Sequence, residues 1–197
     1  MRLVVGMTGA TGAILGIRVL ETLRELNVET HLVLSQWVRA TIELETDYTA
    51  HQVRGLATHV HGPKDQAATI SSGSYRTDGM IVVPASMKTV AQIRMGYAEG
   101  LVARAADVTI KERRKLVLVP RETPLSEIHL DNMLALARMG IQIVPPMPAF
   151  YHRPTSVEDI VDQTVARILD QFGLDMPNTR RWEGVPALRK ELHAAAI

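Results

Sequence analysis

Three glycines, Gly6, Gly9 and Gly12, separate an apolar run from a segment with helical periodicity. Glycines at this spacing allow a tight turn that exposes backbone amides. The start of the following helix adds the positive end of its dipole, so the stretch predicts an anion-binding loop. The spacing G-x-x-G-x-x-G is neither that of a dinucleotide-binding loop nor that of a Walker loop. A tight turn without a ligand therefore stays open as an alternative.

Polar and charged residues follow the later apolar runs of the chain. Ser35 follows the second run, Ser86 to Thr89 follow the third, Arg121 and Glu122 follow the fourth, and Tyr151 comes shortly after the fifth. Hydroxyls, amides and cations of this kind hold phosphate and the polar edges of ring systems. The single carboxylate directly after a run predicts a proton-transfer group. An NAD enzyme usually has an acidic residue after its second strand, and its absence here disfavours a nicotinamide cofactor.

These groups also have structural interpretations. Ser86 and Thr89 are suited to capping the helix that follows them, which does not exclude binding. Arg121 and Glu122 are adjacent and could form a surface ion pair of little energetic consequence.

A histidine pair, His59 and His61, has the spacing of metal ligands on a strand. The nearby carboxylate in the sequence is Asp65, and a zinc site normally uses three or four ligands. No cluster of carboxylates suited to Mg²⁺ stands out either. We therefore expect no metal site and a reaction that is independent of metals.

The elements that position these residues follow from the pattern of apolar positions. Five short runs rich in Val, Ile and Leu predict strands: Leu3–Val5, His31–Leu34, Met80–Val83, Leu116–Val119 and Ile141–Val144. Their lack of alternation is typical of parallel strands that are covered on both faces. Helices are predicted between them at about 13–26, 36–45, 88–96, 100–113 and 126–139.

A last helix is predicted to begin after Ser156, with Asp159 completing its cap, and to end at Gly173. Residues 46–78 show no regular pattern. Alternating strands and helices predict a doubly wound, three-layer α/β sandwich with a mainly parallel sheet. Ligands bind such folds at the carboxyl ends of the strands, which is where the polar residues fall.

Length and composition limit the kind of protein this is. The 197 residues, 46% of them hydrophobic, fit one domain, which we place at residues 1–185 with a tail at 186–197. The stretch Ala187–Ala196 is expected to be either a short helix or a disordered tail. A net charge of +1 argues against nucleic acid or a membrane surface as the partner.

The sequence contains no cysteine, which excludes disulfides, thiolate metal sites and cysteine nucleophiles. No apolar run approaches the ~20 residues of a membrane-spanning helix. The apolar run that begins directly after Arg2 reads as a strand and not as a signal peptide. We therefore expect a cytoplasmic protein.

Together the motifs closely resemble those of the flavin prenyltransferases, the UbiX family, and in particular the members associated with phenolic and aromatic acid decarboxylases. The resemblance runs from about residue 2 to residue 184. It rests on the following motifs: Gly6-Met-Thr-Gly-Ala-Thr-Gly12, Leu44-Glu-Thr-Asp47, Ser72-Gly-Ser-Tyr-Arg-Thr-Asp-Gly-Met80, Pro84-Ala-Ser-Met-Lys-Thr89, Val119-Pro-Arg-Glu-Thr-Pro124 and Pro146-Met-Pro-Ala-Phe-Tyr151.

The resemblance implies a Rossmann-like or flavodoxin-like fold that binds FMN. It implies an enzyme that joins a dimethylallyl group from dimethylallyl monophosphate to N5 and C6 of reduced FMN. The product, prenylated FMN, would serve a partner decarboxylase. Members of the family typically form dodecamers, and their sites lie where subunits meet.

The resemblance also implies roles for individual residues. The flavin would be lined by Gly9, Ala10, Thr11, Ser35, Ser86, Met87, Lys88, Thr89 and Arg121. The substrate phosphate would be bound by Lys111, Tyr151 and Arg167, with Arg104 and Glu45 as further pocket residues. Glu122 would transfer a proton, Lys111 and Arg121 would stabilise the leaving phosphate, and Trp182 would cover the site. Many relatives have serine at the position of Thr11.

Three other functions remain open from the sequence. The chain could be an accessory or storage subunit of an aromatic acid decarboxylase, which would bind FMN without transferring a prenyl group. It could also be an FMN oxidoreductase, although no hydride-donor site stands out. The related cysteine decarboxylases are less compatible, because Met87 and Lys88 replace part of their Pro-Ala-Ser-Ala-Asn motif. The set Lys111, Tyr151 and Arg167 favours the transferase, since a storage protein needs no second phosphate site.

Overall fold

The computed structural model describes residues 1–185, and its centre is one parallel sheet of six strands in the order β3-β2-β1-β4-β5-β6. The strands are β1 Arg2–Met7, β2 Glu29–Leu34, β3 His59–His61, β4 Gly79–Ala85, β5 Lys115–Pro120 and β6 Gln142–Ile143. All five predicted strands are confirmed. The sequence did not predict β3, because a strand of three residues with two histidines has no apolar run.

The helices alternate with the strands. They are α1 Ala13–Glu25, α2 Val38–Glu45, α3 Ala50–Arg54, α4 Met87–Arg94, α5 Leu101–Lys111, α6 Glu127–Arg138 and α7 Val157–Asp170, with a 3-10 turn at Thr69–Ser71. The six predicted helices are confirmed, and α3 was missed. Ser156 and Asp159 form the predicted cap of α7, because each side chain accepts a hydrogen bond from the other residue's amide at 3.1 Å. The stretch predicted at Ala187–Ala196 lies outside the described residues.

The helices cover both faces of the sheet and make two separate cores. One core joins α1, α2, α3 and α7 to the strand residues that point to their side, such as Leu3 and Val5. The other joins α4, α5 and α6 to the alternate residues, such as Val4. This is the predicted three-layer α/β sandwich. Among residues 1–185, no helix is both long enough and apolar enough to cross a membrane.

The centre of the sheet positions the site. β1 and β4 are neighbours, and the chain continues from them towards opposite edges of the sheet, so a crevice opens where both strands end. Thr8, which is 2% exposed, fixes the two ends together. Its hydroxyl donates to the carbonyl oxygen of Pro84 at 2.8 Å and accepts from the amide of Ser86 at 2.8 Å. Sequence reasoning missed Thr8, although it lies inside the glycine motif.

Candidate functional site

The glycine loop after β1 forms one wall of the crevice. Gly12 has φ +98°, in the left-handed region that favours glycine, and stands at the N-cap of α1. A Cβ on Gly9 would lie 2.7 Å from the Cβ of Trp37, which belongs to the segment after β2. The loop can therefore lie against that segment only because Gly9 has no side chain.

The first amides of α1 are occupied by a carboxylate of the chain itself. The amides of Gly12 and Ala13 donate to Oε2 of Glu45 at 2.8 Å and 3.0 Å. The negative side chain also stabilises the positive end of the helix. This corrects the expectation that the amides at the start of α1 wait for a ligand anion. Glu45 therefore lies at the glycine loop.

The segment after β4 forms the opposite wall. The hydroxyl of Ser86 accepts from the amide of Thr89 at 3.4 Å, so the predicted cap of α4 is present. Helical geometry gives the amides of Met87 and Lys88 no acceptor within the helix. They are donors at the mouth of the crevice, and capping and ligand binding are therefore compatible here.

Ser35 gives the clearest indication of a ligand. Its amide donates to the carbonyl oxygen of Met7 at 2.9 Å, which places the residue beside the end of β1. Its hydroxyl oxygen is buried and has no hydrogen-bond partner among the described residues. Leaving a buried polar group without a partner costs about 1–3 kcal/mol. A flavin in the crevice would supply the partner, so the residues present fit FMN.

Arg121 and Glu122 directly follow β5, so they lie where the other parallel strands also have their carboxyl ends. The amide of Arg121 donates to the carbonyl oxygen of Ala85 at 3.2 Å, so the residue lies beside the end of β4. Both side chains are exposed. Neither forms an ion pair with another residue of the described chain, so the surface pair considered as an alternative is not formed. Both charges face the solvent at the mouth of the crevice.

A second group of side chains surrounds Tyr151. Its hydroxyl accepts from Nε2 of Gln163 at 2.6 Å, and its ring meets that of Trp182 edge to face with centroids 5.7 Å apart. Gln163 and Arg167 line a cavity of about 430 Å³ next to β6. Arg167 also pairs with Asp170 at 2.6 Å. Tyr151, Arg167 and Trp182, all expected at the site, are thus close together.

Sequence reasoning missed Gln163. It is 7% exposed and lies among the apolar residues of α7, where a buried amide needs hydrogen-bond partners. That interruption of the apolar stripe was the available signal. Its bond to Tyr151 fixes the direction of the phenol.

One expected site residue, Lys111, lies away from the carboxyl ends of the strands. Lys111 is the last residue of α5 and precedes β5, whereas Glu122 follows β5. The length of that strand, about 20 Å, lies between them. Lys111 pairs with Glu112 instead. The expectation that Lys111 lies near Glu122 and Arg121 is therefore wrong for a single chain.

Arg104 is engaged by groups of its own chain. Its guanidinium donates to the carbonyl oxygen of Ser71 at 3.1 Å and pairs with Asp107 at 2.7 Å. Within residues 1–185, one chain by itself does not bring Lys111 to Arg121.

Comparison with known proteins identifies the family. A family model described as Flavoprotein matches residues 1–169. A probable UbiX-like flavin prenyltransferase of Streptomyces sp. (strain D7) is 70% identical over 190 residues, which cover 96% of this chain and 95% of the relative. The chain belongs to the UbiX-like flavin prenyltransferases. The family predicted from the sequence motifs is confirmed.

Solved structures of the family have the same fold. A dodecameric FMN-dependent UbiX-like decarboxylase from Escherichia coli O157:H7 is 69% identical, with a TM-score of 0.93 over 93% of this chain and 100% of that chain. AnUbiX (PadA1), in complex with FMN and dimethylallyl pyrophosphate, is 61% identical, with a TM-score of 0.92 over 93% of this chain and 98% of that chain. Membership of this family favours a transferase over a subunit that only stores flavin.

Proposed function

We propose that this chain is a flavin prenyltransferase, which joins a dimethylallyl group to N5 and C6 of reduced FMN and supplies the product to a partner decarboxylase. The observation that carries the proposal is the presence of two different binding groups in the chain, one in the crevice after β1 and β4 and one that includes the side chains around Tyr151. Ser35 and the first amides of α4 suit a flavin. Arg121, Tyr151 and Arg167 suit a second phosphate in addition to that of FMN, and a flavin-storage protein would not need a second phosphate site.

The residues of the chain have separate tasks in this reaction. We propose that the flavin contacts the backbone of Gly9, Ala10 and Thr11, together with Ser35 and residues 86–89. Reduced FMN supplies the two nucleophilic atoms. Arg121 and Arg167 stabilise the negative charge that grows on the departing phosphate, as fixed cations do for developing anions. Glu122 accepts the proton that C6 releases when the second bond, the carbon–carbon bond to C6, forms.

We further propose that the working form is a homo-oligomer, with the dodecamer of the Escherichia coli O157:H7 relative as its expected size. Lys111 of a second copy would complete the phosphate site, since its own chain holds it at the opposite edge of the sheet. Helix α6 supports association because three large apolar residues on it are exposed: Ile128 by 71%, Leu130 by 51% and Leu134 by 49%. Exposed apolar groups in this number favour a protein contact.

Three further assignments remain predictions. The flavin-binding domain is placed at residues 1–185, the protein is placed in the cytoplasm, and the prenyl donor is taken to be dimethylallyl monophosphate. The structural relative AnUbiX was solved with the pyrophosphate, so both donors belong in the test. Cell fractionation tests the location.

Mass spectrometry of the flavin tests the proposed function directly. The protein is incubated without oxygen with reduced FMN and either dimethylallyl monophosphate or the pyrophosphate, and the flavin is then extracted. We expect a flavin that has gained one dimethylallyl group. The Tyr151→Phe variant is expected to bind FMN normally and to form the product more slowly. Recovery of unmodified FMN with both donors, from protein that binds FMN, would support the storage subunit instead.

A further inference from the structure

Three histidines and a glutamate gather on strands β2 and β3. His31 is 2% exposed and is paired in the sheet with His59, and His61 lies two residues further along β3. Glu29 lies two residues before His31, on the same face of β2. Their side chains meet under the edge of the sheet, although the histidines of β3 are about 30 residues away in sequence.

The ligand atoms of this cluster have the spacing of a tetrahedral metal site. Nε2 of His31 lies 3.3 Å from Oε1 of Glu29, and Nε2 of His59 lies 3.4 Å from the same oxygen. One ligand atom from each of the three residues lies within 4.8 Å of the other two. Zinc bonds of about 2.0–2.1 Å place tetrahedral ligands about 3.3–3.4 Å apart. Two of the three ligand pairs already have this separation.

His61 contacts the ring nitrogen of His31 that faces away from Glu29. Its Nε2 lies 2.9 Å from Nδ1 of His31, and the two rings are stacked. When His61 accepts the proton of that Nδ1, the lone pair of His31 Nε2 is directed towards Glu29 and His59. Such a second partner is typical of metal-bound histidines.

Two neighbouring groups limit which cation fits. The Nε of Arg2 donates to Oε1 of Glu29 at 2.8 Å, so a bound cation must compete with a guanidinium. The hydroxyl of Tyr75 lies 3.1 Å from Nε2 of His31 and would have to give up that contact. Imidazole nitrogens suit zinc and similar transition ions, whereas Mg²⁺ and Ca²⁺ prefer oxygen ligands. The cluster therefore disfavours the hard cations.

We propose that Glu29, His31 and His59 form a binding site for a divalent cation of the zinc class, which joins the short edge strand β3 to β2. From the sequence, we expected no metal site because Asp65 was the nearby carboxylate for His59 and His61. The fold instead brings Glu29 and His31 to His59. Ser35 lies four residues beyond His31, about 13 Å along the strand, so the cation site is separate from the flavin crevice. Prenyl transfer itself remains independent of metals.

Titration of the chelator-treated full-length protein with Zn²⁺ tests the site. We expect the wild type to bind one Zn²⁺ with this cluster and to give the visible absorption of tetrahedral cobalt when Co²⁺ replaces zinc. His59→Ala should abolish both signals. His59 is suited to this test because its side chain is 49% exposed, so its loss should leave the fold intact. His61→Ala should weaken binding by about 10–100-fold, as the loss of a supporting partner does.

His51→Ala is the matched control, because His51 is exposed on α3 and lies outside the cluster. It should bind zinc like the wild type. Zinc should also raise the thermal midpoint of the wild type but not that of His59→Ala. Equal zinc binding by the wild type and His59→Ala would overturn the proposal, as would the absence of zinc binding by the wild type. Prenyl transfer with FMN should be unchanged in His59→Ala, so failure of this site is distinguishable from failure of the proposed function.

Discussion

At the crevice, carboxylates of the same charge have different tasks because their surroundings differ. Glu45 is engaged by the amides of α1, whereas Glu122 accepts a bond only from the next amide, that of Thr123, within the described chain. The buried hydroxyl of Ser35 has no hydrogen-bond partner among residues 1–185. Glu45 therefore stabilises the start of α1, whereas Glu122 and Ser35 are available to a ligand.

Glu122→Gln is expected to leave FMN binding nearly intact and to slow prenyl transfer by roughly 10²-fold or more, as is typical when a general acid or base is lost. The amide keeps the size of the side chain but cannot exchange the proton. Single-turnover kinetics with saturating FMN measure the rates of bond formation, and equilibrium titration measures FMN affinity.

Glu25→Gln is the control for Glu122. Glu25 is an exposed carboxylate at the far end of α1, so its amide variant should turn over normally. If Glu122 only positioned Arg121, its variant would weaken FMN binding at least as much as turnover. Wild-type rates for both bond-forming steps in Glu122→Gln would contradict the proton-transfer role.

Helix α1 lies unusually close to the sheet at Gly16. A Cβ at this position would lie 2.6 Å from the Cε of Met7 and 2.6 Å from the carbonyl oxygen of Val83. The second contact is with backbone, which cannot move aside easily. The approach of α1 determines how the glycine loop enters the crevice.

Gly16→Ala is expected to lower the free energy of unfolding by about 1–3 kcal/mol, because an extra methyl group is forced into a filled space. Helix propensity alone predicts the opposite, a gain of about 1 kcal/mol from replacing glycine within a helix. Urea unfolding distinguishes the two. Arg24→Ala, an exposed change on the same helix, should alter stability by less than about 0.5 kcal/mol. An unchanged or higher stability of Gly16→Ala would show that the sheet accommodates the methyl group.

On the scale of the whole molecule, residues of one proposed site lie at opposite ends of the strands. Arg121 and Glu122 lie at the carboxyl end of β5, and Lys111 lies near its amino end. If a second copy supplies Lys111, each phosphate site combines residues from two chains.

Lys111→Ala and Arg121→Ala are each expected to be inactive alone and to regain activity when the subunits are dissociated, mixed equally and reassembled. Random assembly in a closed oligomer leaves about one quarter of the sites with both residues intact. Product formation, followed by mass spectrometry, should recover to about that share. A mixture that stays inactive after reassembly would place Lys111 and Arg121 of each site in the same chain.

Mixing Arg121→Ala with Glu122→Gln provides the control. The two residues are adjacent in one chain, so every mixed site would still lack one of them. This mixture should show no recovery of activity. Recovery here would indicate that activity returns for a reason other than complementation between copies.

Local signals in the sequence predicted much of the fold. Apolar runs marked five of the six strands, and helical periodicity with a capping serine marked α7, because these features depend on neighbours within a few residues. The glycine loop, the cap at Ser86 and the polar residues after the strands were also readable. They follow from turn chemistry and from the rule that parallel strands present their carboxyl ends together.

Tertiary structure alone decided what depends on distant pairing. Glu45 reaches the start of α1 from 33 residues away, and His31 meets His59 because β2 and β3 are neighbours in one register. Lys111 precedes a strand and Arg121 follows it, which places them at opposite edges once the sheet forms. No local pattern specifies these contacts, since they arise from which strands become neighbours and from the direction of each strand in the sheet.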